Sequence, residues 1–161
     1  MPLKTGLLLL PTHAPHRLAT LAQLAEHTGY DFLWLADERF FREVYASLTL
    51  CALRTERIKL GPCVTDPYSR HPALTAMAIA TLDEISGQRA VLGIGAGVSG
   101  FRELGIARQQ PATAMREAIE LIRRLLTGER VNYQGQRVTL QGGRLDFTPV
   151  RAQVPIYVAS Q

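Results

Sequence analysis

Two clusters in this 161-residue chain have the residue types and spacing to do chemistry: the acidic pair Asp37-Glu38 and the run Gly95-Ala-Gly-Val-Ser-Gly100. A carboxylate can hold or move a proton, and closely spaced glycines let backbone approach a ligand with no Cβ in the way. Each cluster also has a plainer reading. Adjacent acids after a strand often cap the next helix, and glycines also serve a tight turn. The run Gly95 to Gly100 is a literal GxGxxG. A dinucleotide fold would need a helix opening inside it and an acid about 20 positions on, closing a second strand. Here Phe101 to Pro111 intervenes, and Glu117 and Glu120 fall within the following helix. The glycines therefore mark either a tight turn or a backbone that approaches a flat cofactor in some other fold.

Other chemistries find little support. The pair His13-x-x-His16 spans Pro15, which prevents one helix face from presenting both imidazoles, and Cys51 and Cys63 form no CxxC, so no metal site is expected. There is no GK dipeptide for a phosphate-binding loop and no GxSxG elbow.

The elements that must position these residues alternate. Leu7 to Leu10 is a continuous apolar run, as expected of a parallel strand buried on both faces, and Leu18, Leu21, Leu24 and Ala25 follow at helical spacing before Gly29. The pattern repeats as strand 31–36 with helix 44–54, strand 58–65 with helix 72–86, and strand 89–95 with a helix marked by Met115, Ile119, Ile122 and Leu126. Glycines between polar and β-branched residues over 131–147 predict a hairpin excursion, after which Val154 to Ala159 reads as a further buried strand. This rhythm defines an α/β class with about five parallel strands in one domain, 1–161. A doubly wound sheet and a (β/α)8 barrel both satisfy it. A full barrel takes about 250 residues, so the second case would be an N-terminal half-barrel. Polar or glycine-bearing ends recur after the strands, at Pro11-Thr12, Asp37-Glu38, Thr65-Asp66 and Gly95 to Gly97. In a barrel they would share the face where active sites lie.

Composition bounds the class of partner. The chain is 47% hydrophobic and 20% charged, with two cysteines, which excludes a disordered chain or a disulfide scaffold and fits a reducing, cytoplasmic compartment. No apolar run approaches the roughly 18 residues of a membrane helix. The net charge is +4, carried by 16 Arg and 2 Lys, but the arginines are scattered and no aromatic ladder interleaves them, so no nucleic-acid partner is expected.

Three stretches carry a resemblance: Ile58 to Pro72 (IKLGPCVTDPYSRHP), Ala80 to Gly97 (ATLDEISGQRAVLGIGAG) and Val154 to Gln161 (VPIYVASQ). They resemble the bacterial luciferase-like superfamily, nearest its F420-dependent methylenetetrahydromethanopterin reductase branch, over about the first half of a family member. The resemblance implies a (β/α)8 TIM-type barrel that binds a tricyclic ring at the C-terminal ends of its strands. It matches the family's strand-two aspartate to Asp37 and its fourth-strand glycine loop to Gly95, Ala96, Gly97 and Val98. The third-strand bulge, with a non-proline cis peptide, is matched to Cys63-Val64, and the backbone of Cys63, Val64 and Thr65 is then expected to hold the ring. Asp37 would bond near ring or substrate, with Glu38 the next candidate acid. Two departures stand out: Leu8 and Val98 occupy positions where the reductase has acids, and an apolar side chain exchanges no proton.

The expected function is an oxidoreductase moving hydride between coenzyme F420 and a small organic substrate. An FMN-dependent monooxygenase of the same fold and a non-catalytic half-barrel are the alternatives. A half-barrel with open strand edges is also expected to pair with another copy or with a missing half, and to bind F420 or FMN weakly by itself, because barrel phosphate sites usually follow strands seven and eight.

Overall fold

A computed structural model describes residues 3–159. Ser160 and Gln161, matched by resemblance to the fifth strand, lie outside the described residues, as do Met1 and Pro2. The order is β1 (Gly6–Leu9), α1 (Pro15–His27), β2 (Phe32–Leu35), α2 (Val44–Leu53), β3 (Lys59–Pro62), α3 (Pro72–Ile85), β4 (Leu92–Gly95), α4 (Pro111–Leu126), β5 (Val131–Gln134), β6 (Thr139–Gly143) and β7 (Ile156–Ala159).

Proline opens three of the four helices, where its missing N–H costs nothing. Pro15 thus starts α1, leaving His13 outside it and His16 inside. Pro111 starts α4 a turn before the first residue of the apolar pattern, Met115. At α2 the cap is Glu43, whose carboxylate accepts from the Ala46 N–H at 2.7 Å. Neither Asp37 nor Glu38 is spent on capping. The predicted hairpin is β5 paired antiparallel with β6.

Parallel pairing runs β1-β2-β3 and β4-β7, and two isolated parallel bridges, Leu60 with Ala90 and Thr65 with Ile94, join β3 to β4. The five parallel strands therefore lie in chain order. Between the two bridges the ladder is interrupted at Pro62, which has no N–H to donate, and the Cys63–Val64 peptide is cis, as the resemblance implies. Glycine permits the close approach of these strands. A Cβ on Gly61 would lie 1.7 Å from the Val91 carbonyl oxygen, and one on Gly93 2.4 Å from that of Pro62.

Leu33, Leu35, Leu60, Leu92 and Ile94 point to the helices and are fully buried with Leu18, Leu48, Ile79 and Leu121. The opposite, concave face carries Phe32, Trp34 and Tyr157, stacked and edge-on at 5.4–5.9 Å. Two expectations are corrected here. The first and last parallel strands are not buried on both faces: Leu8 is 56% exposed, Tyr157 46% and Val158 58%. Each pairs on one side only among the described residues, and no helix follows β7 within them.

Candidate active site

The strand ends meet on one rim. Asp37 lies two residues beyond β2, half-buried, with Oδ2 3.8 Å from the Arg70 Nε. Arg70 also pairs with Glu43 at 2.8 Å and stacks 5.0 Å from the Tyr45 ring centre. Burial pushes the Asp37 carboxyl above the usual carboxylate range, aided by the nearby charges of Glu43 and Asp66, while the Thr65 hydroxyl and Arg70 oppose the rise. Burial also raises the Tyr45 phenol. Tyr45 Oη and Thr65 Oγ1 are both buried without a hydrogen-bond partner of good geometry, so the surroundings of Asp37 hold spare polar capacity.

Glu38 points along the rim and accepts from Ser99 Oγ at 2.6 Å. Thr65, fully buried, exchanges backbone hydrogen bonds with Gly93 and Gly95 at 3.0 and 2.9 Å, which sets the turn after β3 against the end of β4. Cys63 is half-buried, and burial raises its thiol. At Gly95 a Cβ would stand 2.7 Å from Val64 Cγ2, and Gly97 has a φ of +64°. Only glycine lets the Val64 side chain pack directly on that backbone. Val64, Gly95, Ala96, Gly97 and Val98 then line a largely apolar cavity of about 570 Å³, closed by Arg108, Pro111 and Met115 and by Val158 and Ala159 of β7. Arg108 donates to the Gly97 carbonyl.

The structure thus brings all nine candidate residues to one edge of the sheet, in two groups. Val64 and Gly95 to Val98 wall the cavity, whereas Asp37, Glu38, Cys63 and Thr65 stand beside it without lining it. Sequence reading missed Arg39, Tyr45 and Arg70. The guanidinium of Arg39 pairs with Asp66 and lies 4.4 Å over the Phe101 ring. One signal was available: Arg39 directly follows the two acids that were singled out.

Parallel strands in sequential order, helices on one face and a site at the carboxyl ends define a protein built on part of a (β/α)8 barrel. The chain belongs to the luciferase-like monooxygenase family, whose model matches residues 3–161. It is 46% identical over 160 residues to a 5,10-methylenetetrahydromethanopterin reductase of Archaeoglobus fulgidus, covering 99% of this chain and 48% of that protein. It is 35% identical to an F420-dependent glucose-6-phosphate dehydrogenase of Kineococcus radiotolerans, over 91% of this chain and 48% of the other. The structure of the coenzyme F420-dependent tetrahydromethanopterin reductase from Methanopyrus kandleri superposes with a TM-score of 0.94 at 35% identity, covering all of this chain and 51% of that one. The chain therefore spans about half the length of these relatives.

Proposed function

We propose that residues 1–161 form one unit of a cytoplasmic oxidoreductase that uses coenzyme F420 and a small organic substrate, with the remaining barrel strands supplied by another copy or another segment. One observation carries the reading: Val64 and Gly95 to Val98 wall a largely apolar cavity of about 570 Å³ on the same rim as the half-buried Asp37 carboxyl. A flat ring fits such walls, and the Thr65 hydroxyl stands against the Asp37 carboxyl. F420 is favoured over FMN because relatives at 46% and 35% identity are named for F420 itself or for a reductase whose structural counterpart is F420-dependent. When bound, the deazaflavin supplies a hydride acceptor or donor, and the protein supplies orientation and charge.

Each residue then has a task. The backbone of Cys63 to Thr65 and of Gly95 to Val98 holds the ring. Asp37, whose carboxyl burial keeps protonated to higher pH, holds the proton that must accompany hydride transfer or bonds the substrate. Glu38 is the second acid of the rim, with one carboxylate oxygen engaged by Ser99. Leu8 and Val98 present exposed apolar groups where the resemblance implies acids, which supports a substrate other than the reductase's pterin.

The test is a titration with F420 and with FMN, of the 161-residue chain by itself and of a longer form in which the remaining barrel strands are joined to it. The shorter chain is expected to bind both weakly, and the longer one to prefer F420. Preference for FMN, with oxygen consumption when reduced FMN is added, would replace this reading with the monooxygenase one. Tight stoichiometric F420 binding by the 161-residue chain would remove the need for a second half.

A further inference from the structure

We propose that Arg39 is a positioning residue that clasps the glycine loop after β4 to the turn after β3, so that the shape of the candidate cofactor cradle is set from β2. The inference rests on the reading of that loop as cofactor-binding. The observations are independent of it. Arg39 is 9% exposed and its partner Asp66 2%. The Asp66 carboxylate is also filled locally, accepting from the Tyr68 and Ser69 N–H groups at 2.8 Å and from Ser69 Oγ at 2.6 Å. The guanidinium carbon lies 4.4 Å over the Phe101 ring centre, and Phe101 in turn meets Tyr68 edge-on at 5.8 Å.

The loop is moulded on this side chain. A Cβ at Gly97 would stand 2.9 Å from Arg39 Nη2, and one at Gly100 2.8 Å from Arg39 Cβ and Cδ. Both glycines have positive φ, 64° and 71°. Glu38, one residue earlier, ties the same loop through Ser99. A buried ion pair contributes little net stability, because desolvation offsets attraction, and its clearest attested use is to fix register. Lysine is no substitute in such a place, since it keeps the charge but loses the planar face that packs on an aromatic ring.

Amide hydrogen exchange on the 161-residue chain, with no cofactor added, tests this. In Arg39→Met the amides of residues 97–101 are expected to exchange roughly tenfold faster while those of α1 and β2 keep their protection. In Arg39→Lys the Tyr68 and Ser69 amides are expected to match the wild type while 97–101 stay fast. Full recovery of 97–101 by lysine would reduce Arg39 to a charge partner and overturn the clasp, as would unchanged exchange in Arg39→Met. Should Arg39→Met fail to fold, Phe101→Leu decides: acceleration confined to 97–101 supports the proposal and its absence sinks it. Failure here leaves the F420 titration untouched, and failure of that titration leaves the clasp standing.

Discussion

At the scale of single residues, the candidate site sets one half-buried acid, Asp37, beside a glycine backbone on which Val64 packs. Because burial raises the Asp37 carboxyl in the folded state, its ionisation opposes folding as pH rises through that raised value. Asp37→Asn is therefore expected to match the wild type at low pH. It should gain on the order of 1 kcal/mol, or about 2–4 °C in Tm, near pH 7, while abolishing any F420-linked turnover. Thermal melts across pH would check the sign. Gly95→Ala should cost some stability and weaken F420 binding in a longer form that carries the remaining strands, because its Cβ would stand 2.7 Å from Val64 Cγ2 and push that wall of the cavity aside; unchanged affinity in the titration would contradict this. Asp37 and the glycines were legible in the sequence because they end strands whose apolar runs are unmistakable. Arg39, Tyr45 and Arg70 were not. Their roles depend on which loops become neighbours across the rim, which the chain signals for Arg39 alone, by its place after the two acids.

At the scale of elements, two helix carboxylates, Glu26 half-buried and Glu117 buried, anchor later segments of the chain. Glu26 of α1 accepts from the backbone N–H groups of Glu56, Arg57 and Ile58 at 2.6–3.1 Å, and Glu117 of α4 from those of Gln136, Arg137 and Val138 at 2.8–3.0 Å. Burial alone would raise the Glu117 carboxyl, but the three donors outweigh it and hold it below the usual value of 4.5. The stability it contributes is thus present above that value and lost as pH falls through the folded one. Glu117→Gln should cost about 1–3 kcal/mol at pH 7, with the deficit shrinking in acid, as denaturant titrations at pH 7 and pH 3 would reveal. Gly61→Ala is expected to be worse. Its Cβ would meet a backbone carbonyl that cannot step aside, at a cost of about 3 kcal/mol or more, enough to abolish soluble expression. Element types and order were legible because apolar spacing changes cleanly between strand and helix. The gap in the β3–β4 ladder was legible by resemblance, as the bulge at Cys63-Val64, and Pro62, with no N–H to donate, stands at it.

At the scale of the whole molecule, five parallel strands in chain order leave β1 and β7 each with an edge unpaired among the described residues and a concave face bearing Leu8, Leu10 and Tyr157. Exposed apolar groups next to open edges favour association. The 17.8 kDa chain is expected to form dimers or larger species rather than persist as a compact monomer. Light scattering during denaturant titration checks this, and a monodisperse monomer that unfolds cooperatively would contradict it. The half-barrel reading was legible by resemblance, whereas the expected burial of the outer strands failed for a physical reason. Burial is a property of what lies opposite, and nothing in a strand's own residues supplies its neighbour.

The aromatic trio on the concave face has a consequence for how the chain acquires its structure during synthesis. Trp34 is the only tryptophan, and its ring meets Tyr157, 123 residues later, at 5.4 Å. They touch because their register partners on the two intervening strands, Gly61 and Gly93, carry no side chains. A ribosome adding residues in order can release β1 to β4 well before Tyr157 emerges, since domains form from the N-terminus as they appear. Until then Trp34 faces water on that side. Its emission would therefore time-stamp the moment the last strand docks, a built-in optical clock for the maturation of a nascent chain.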